Sequence, residues 1–178
     1  MIEILIFGLI LVALMVYAST KIKKAAAEAY ASETVETSDF RITKPEDFLS
    51  VISPADGLVL HAYSREFGEA EAAGIRRTEA TIRIIENATA SDVAADLKGS
   101  AHTVISESCN ESGDPITMEI GDEVNDVSIF RLYKLIENGS RVVQLQIDTP
   151  VAYRDEFDIA IREFRDTFEV KPANADQL

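Results

Sequence analysis

Tryptophan is absent, and the 178 residues include one cysteine, two histidines and five prolines. A single cysteine excludes an internal disulfide and any zinc site built on cysteines. Two histidines leave little for a metalloenzyme or a histidine-based triad. Cations are scarce as well: 17 Lys and Arg face 31 Asp and Glu, for a net charge of −14. Nucleic-acid binding needs clustered cationic charge, so this balance argues against a nucleic-acid partner. The chain also lacks a phosphate loop, a nucleophile elbow, an H-E-x-x-H pair and a dinucleotide fingerprint. The expectation is a protein that is not an enzyme and carries no cofactor.

Apolar residues are plentiful, at 47%. That is enough for a real core and too much for a disordered acidic chain. The length fits one ordinary domain with an appendage. Charge is unevenly spread. Residues 1–31 hold Lys21, Lys23 and Lys24 against Glu3 and Glu28, a balance of +1, which leaves −15 on the remainder. The acidic part is therefore the globular part.

Residues 4–20 carry no charge. As a helix they cover about 25 Å, the short end of what spans a hydrocarbon core of roughly 30 Å. The run is apolar on every side, so a surface-lying amphipathic helix is excluded. Lys21, Lys23 and Lys24 follow it and can snorkel, and Tyr17 falls at the same interface. A cleaved signal peptide is the competing reading, with Val16-Tyr17-Ala18 as a cleavage site. Against it, no Lys or Arg precedes the run and Glu3 does. The expectation is an uncleaved single-pass anchor in the cell membrane. Positive-inside logic places the acidic domain in the cytoplasm, the exported side being the alternative. Gly8 and Ala13 offer small surfaces for contact with another transmembrane helix, although they form no G-x-x-x-G motif. Ala-rich sequence continues the helix as a stalk to about Ala31. Polar, aperiodic residues 32–39 read as a linker.

Residues 40–171 read as an α+β domain, a mostly antiparallel sheet with helices packed on its faces. Phe40 to Thr43 alternates as a strand. Pro45 opens a short helix that buries Phe48, Leu49 and Ile52. Leu58 to Arg65 and Thr81 to Ile85 are strands, with a loop over residues 66–78. Ser91 caps a helix reaching about Ser106. Pro115 to Ile120 is a strand, followed by an acidic turn over residues 121–126. Val127 to Ile136 is apolar on both sides, as a central strand is. Asn138-Gly139 signals a type I′ hairpin into Arg141 to Asp148. Thr149 caps a helix with Pro150 at its first position and Phe157, Ile161, Phe164 and Phe168 along one stripe. Residues 172–178 form a frayed tail.

The opening Phe40-x-Ile42-x-x-Pro45-x-x-Phe48 and the ending resemble one family. That ending comprises the Asn138-Gly139 hairpin, the strand Val142 to Ile147, then Thr149-Pro150 and a helix closing on Phe164 and Phe168. Together they resemble the sandwich of the extrinsic photosystem protein PsbP and its relatives, which include a Ran-binding nuclear import factor and DcrB-like envelope proteins. The likeness spans residues 40–171 and is sharp at its two ends. It implies a non-enzymatic accessory or assembly subunit docking on a larger membrane protein complex, photosynthetic or otherwise energy-transducing. It transfers no functional residues. The uncleaved anchor and its lysines depart from plant PsbP.

Other chemistry is weak. His61 and His102 have no identifiable partners and read as ordinary histidines. Cys109 lies among acids, which disfavours a reactive thiolate. The acidic turns Glu111…Asp114 and Asp122-Glu123…Asp126 do not fit a calcium loop and read as solvated. Sequons at Asn87, Asn110 and Asn138 carry no weight in a cytosolic domain. Expected partners are the lipid bilayer and a membrane protein complex. The alternative is an envelope carrier that holds a lipid or small ligand.

Overall fold

In the computed structural model the described residues are 2–51, 54, 55, 57–108 and 114–172; of residues 2–7 and 9 only the backbone is described. The chain divides into two compact units, Met1–Ala31 and Ser32–Leu178.

The first unit is one helix, α1 (Ile2–Tyr30). It has no proline, and its residues after Lys21 are strong helix formers. Thr20 turns its hydroxyl back onto the Val16 carbonyl at 2.8 Å, a bond that takes the place of water. Among the described residues no helix is long and apolar enough to cross a membrane.

In the second unit, the described residues form two sheets and two helices. The small sheet has the order β1-β2-β10, from β1 (Glu33–Glu36), β2 (Phe40–Lys44) and β10 (Glu169–Val170). The large sheet comprises β3 (Phe48–Ser50), β4 (Leu60–Ser64), β5 (Glu79–Glu86), β6 (Thr103–Ser108), β7 (Ile116–Val124), β8 (Val127–Asn138) and β9 (Arg141–Pro150). Its order is β3-β4-β5-β9-β8-β7-β6, and every pairing is antiparallel. The helices are α2 (Ala90–Ser100) and α3 (Arg154–Thr167).

Alternation along the strands sorts the side chains onto two faces. One face carries Ala62, Ile82, Leu132, Val143, Leu145 and Ile147, which pack with Phe40 and Ile42 of β2 and with Ile161 and Phe164 of α3. Phe48 meets Phe157 and Phe164 edge-on, with ring centroids 6.0 and 5.1 Å apart. Such pairs are worth roughly 0.5–1.5 kcal/mol beyond their burial. The opposite face is apolar at one end only, where Met118, Tyr133, Leu135 and Val142 lie under Val93 and Ala94 of α2.

Polar groups fix the helices on these faces. Thr89 caps α2 by accepting from the Asp92 amide, and the Glu137 carboxylate of β8 accepts from the Ala90 amide at 2.8 Å. At the other end of α3, Lys134 of β8 donates to the carbonyls of Arg165 and Phe168 at 2.8 and 2.9 Å. A cation is favourable at a helix C-terminus, although burial pulls the Lys134 pKa below its ordinary value.

Several expectations are corrected. The expected linker 32–39 contains β1, which pairs with β2 from Glu33↔Lys44 to Glu36↔Arg41. Its four residues alternate too briefly to show a period. The helix expected after Pro45 is instead the strand β3, because Phe48 pairs with Ser64 and fills the core. The second helix begins after Thr89 rather than Ser91 and ends at Ser100. Residues 103–106, expected to continue it, belong to the edge strand β6. Residues 66–78 include a short 3-10 turn, Ala70–Ala72.

Two further corrections concern turns. The hairpin at Asn138 turns on Gly139-Ser140, since Asn138 still pairs with Arg141 and positive φ falls on Gly139, at 70°. Asn138 instead uses its side-chain amide to hold the Lys171 carbonyl at 2.8 Å. The two-residue turn with positive φ at both positions is Asn125-Asp126, at 52° and 65°, inside the segment expected to be an acidic loop. Thr149 caps no helix. β9 runs through Pro150, and the Thr149 hydroxyl is buried 3.0 Å from that of Thr78. Residues 173–178, most of the expected tail, lie outside the described residues.

Candidate functional site

The uncovered half of the large sheet carries a polar floor. β9 contributes Gln146 and Asp148, β8 Arg131, β5 Glu79, β4 His61 and Tyr63, and β7 Asp122. The register places Arg131 opposite Asp148 and Asp148 opposite Glu79. Arg131 lies between two acids: Asp122 on one side, and Asp148 with its oxygen 3.3 Å from the Arg131 Nε. That Nε is buried without a well-directed hydrogen bond; burial disfavours the guanidinium charge, but Asp148, Tyr133 and Asp122 outweigh it and hold the Arg131 pKa above its ordinary value. Asp148 also accepts from Gln146 at 2.9 Å. Burial raises the Asp148 pKa above the ordinary aspartate value, Gln146 and Arg131 oppose this, and Glu79 adds to it. Burial likewise raises the phenol pKa of the neighbouring Tyr133, with Asp148 adding to the effect.

A recess of about 160 Å³ opens beside this network, between Arg131 and Asp148 on one side and Ile75, Arg76 and Val124 on the other. Arg76 is stacked between Phe67 and Tyr63, its guanidinium 3.7 and 4.2 Å from the ring centres. His61 meets Glu79 at 3.3 Å, a partner that sequence could not reveal because it comes from the next strand. One cation, Arg131, is thus shared by two acids. Among the described residues no three His, Cys, Asp or Glu side chains could together hold a metal ion.

A second feature lies on the α3 side of the domain. A groove of about 570 Å³ runs between α3 and two segments, the Pro45–Asp47 turn and residues 64–66. Its floor is apolar, with Phe48 buried and Phe157 half-buried. The wall from α3 is the stripe Glu156, Ile159, Ala160 and Glu163, at i, i+3, i+4 and i+7. Ile159 is 80% exposed. Glu46, Asp47 and Glu66 add further carboxylates to the rim, with Arg65 the cation among the lining residues.

The residues singled out in the N-terminal helix are all exposed: Tyr17 at 66%, with Gly8, Ala13, Lys21, Lys23 and Lys24. Tyr17, Lys21, Lys24 and Glu28 share one side of α1, and Lys24 pairs with Glu28 at 3.9 Å. Gly8 and Ala13 are not brought together. Five residues apart on a continuous helix, they face directions about 140° apart and cannot form one contact surface. His102 is exposed. Asp122 belongs to β7 and is engaged by Arg131, so it is no free calcium ligand. Cys109, Asn110 and Glu111 lie outside the described residues.

No protein-family profile and no curated protein sequence matches the chain. Solved structures do. The Ran-binding protein Mog1p of Saccharomyces cerevisiae aligns with a TM-score of 0.53 at 13% identity, over 80% of this chain and 97% of that one. LpqN of Mycobacterium tuberculosis, involved in cell envelope biogenesis, aligns at 0.54 and 10% identity, over 80% and 91%. Cyanobacterial PsbP (CyanoP) of Synechocystis sp. PCC 6803 aligns at 0.50 and 12% identity, over 80% and 94%. The chain therefore has the PsbP-like fold that its two ends suggested, and identities this low establish the fold alone.

Proposed function

We propose that this chain is a membrane-anchored accessory or assembly subunit without catalytic activity of its own. In this reading α1 holds it in the bilayer, the lysines after the run keep the domain on the cytoplasmic side, and residues 32–178 dock on a larger membrane protein complex. The observation that carries the reading is the bare apolar surface of α1. Ile10, Leu11, Val12, Leu14, Met15 and Val16 are between 46% and 66% exposed. A continuous apolar surface of this kind needs cover, and the charge-free run of residues 4–20 suits lipid. The acidic domain has its own apolar core, as a docking unit does. A fold shared with a protein that binds Ran supports docking, and one shared with a protein of cell envelope biogenesis supports a setting at the membrane.

The test is membrane fractionation followed by sizing in a mild detergent. The full chain should resist alkaline carbonate extraction and migrate well above its 19.6 kDa. Release by carbonate would remove the anchor. Migration as a free monomer that retains a lipid or small molecule would replace the accessory role with that of a carrier.

A further inference from the structure

The groove beside α3 has two properties that together specify an occupant. Its surface is acidic on three separate segments: Glu46 and Asp47 in the turn after β2, Glu66 after β4, and Glu156 and Glu163 on α3. Its floor and centre are apolar, from Phe48 and Phe157 to the half-buried Ala160 and the exposed Ile159. Arg77 holds Glu66 at 2.8 Å and Glu156 at 3.1 Å, so those two are partly neutralised. Among the described residues no ion pair engages Glu46, Asp47 or Glu163. α3 thus carries two stripes. Phe157, Ile161 and Phe164, continued by Phe168 just past the helix, form the one that closes the core, and Glu156, Ile159, Ala160 and Glu163 form the one along the groove.

We infer that this groove docks a cationic, amphipathic segment of a partner protein, one that carries several Lys or Arg around at least one large aliphatic side chain. This rests on the reading of the domain as a docking unit and names where and what it docks. Charge complementarity selects the occupant. The domain's excess of −15 repels anionic lipid and acidic proteins alike, and the rim carboxylates without ion pairs concentrate that field at the groove. A divalent cation is disfavoured because no three carboxylates converge among the described residues. A polypeptide can instead reach acids placed on three segments while its aliphatic side chain covers Ile159. Apolar contact at the centre with charged contacts on the rim is how docking surfaces divide affinity from steering.

The experiment uses the full-length chain in mild detergent and two fluorescein-labelled synthetic peptides. One is a lysine-leucine amphipathic peptide; the other has the same lysines with every leucine replaced by serine. Fluorescence anisotropy at moderate salt should show the leucine peptide binding at least tenfold more tightly than the serine peptide. The double variant Ile159→Ser/Glu163→Lys should lose at least tenfold of that affinity. Asp96→Lys, on the exposed side of α2, makes the same change in net charge away from the groove and should lose less than threefold. All three proteins should melt at the same temperature, since the altered side chains lie outside the core. Equal binding of the two peptides, unchanged binding by the groove variant, or an equal loss in Asp96→Lys would each overturn the inference. Sizing of the same variant separates this from the broader reading. If the groove variant still migrates in a large complex as the wild type does, the docking role stands and the groove is not its site.

Discussion

Alternate residues of β9 go to opposite sides of one sheet, and the two sides do different work. Val143, Leu145 and Ile147 meet α3 and the small sheet, in a layer of aliphatic and aromatic groups that includes Phe40, Phe48 and Phe164. Gln144, Gln146 and Asp148 face the other way, where α2 covers one end and leaves the Arg131–Asp148 network at the other. The first side is stabilised by area and packing, which are insensitive to pH. The second holds Asp148, whose charge only partly repays its desolvation, and its contribution to stability changes with protonation. A strand apolar on one side and polar on the other thus tells where the core lies, and also which side can respond to conditions.

The largest expected effect comes from opening the packed side. Phe164→Ala removes a fully buried ring that Phe48 meets edge-on, and should cost about 3–5 kcal/mol in urea unfolding of the full chain in detergent. A loss below about 1 kcal/mol would mean that α3 is not part of the cooperative core.

On the polar side, Arg131→Met leaves Asp122 and Asp148 without their shared cation. It should cost about 3 kcal/mol at neutral pH, with the loss shrinking in acid as Asp148, whose pKa burial raises, takes up its proton. An equal loss at pH 4 and pH 7 would show that the side chain matters for packing alone.

Lys134 is a charge on the packed side, and it holds the last carbonyls of α3. Lys134→Met should cost about 1–2 kcal/mol and raise hydrogen exchange in residues 164–168 ahead of the rest of the helix. Uniform exchange along α3 would deny the cap its local role.

The smallest effect is a slope. Burial raises the Asp148 pKa, so the folded chain binds that proton more tightly than the unfolded chain does. The resulting stability is present in full below the unfolded value of about 3.9 and is lost as pH rises through the folded value. Asp148→Asn removes this slope. Its stability relative to wild type should therefore rise with pH in that window, by about 1 kcal/mol or less, measured by thermal melts across pH 3–7. A flat difference would place the ionised carboxylate in balance with Arg131.

Much of the domain was legible along the chain. The apolar stripe of α3 and the two-sided pattern of β8 appear in the structure as read, because both are carried by large side chains with regular spacing. Short or weakly patterned segments were not legible. β1 is four residues long, and β6 carries Val104 and Ile105 exposed at an edge, so neither has a buried face to set a period. The turns exchanged roles for a related reason. Asn138-Gly139 has the composition of a type I′ turn, yet the β8–β9 register and the Asn138 bond to Lys171 keep Asn138 in the strand. Asn125-Asp126 adopts positive φ at both positions because β7 and β8 pair up to Val124↔Val127 and leave two residues to close the hairpin.

The amino-acid order by itself determined the uncharged run of residues 4–20, the lysines behind it, the acidic excess of the remainder, and the α+β class with its aromatic-striped last helix. These follow from composition and local period, which each segment expresses alone. Only the tertiary structure decided that His61 meets Glu79, that Arg131 is shared by Asp122 and Asp148, and that acids from three separate segments surround Ile159. Those neighbours are distant along the chain. Strand register and the seating of α3 bring them together, and both are fixed by burial of the core rather than by the polar residues themselves.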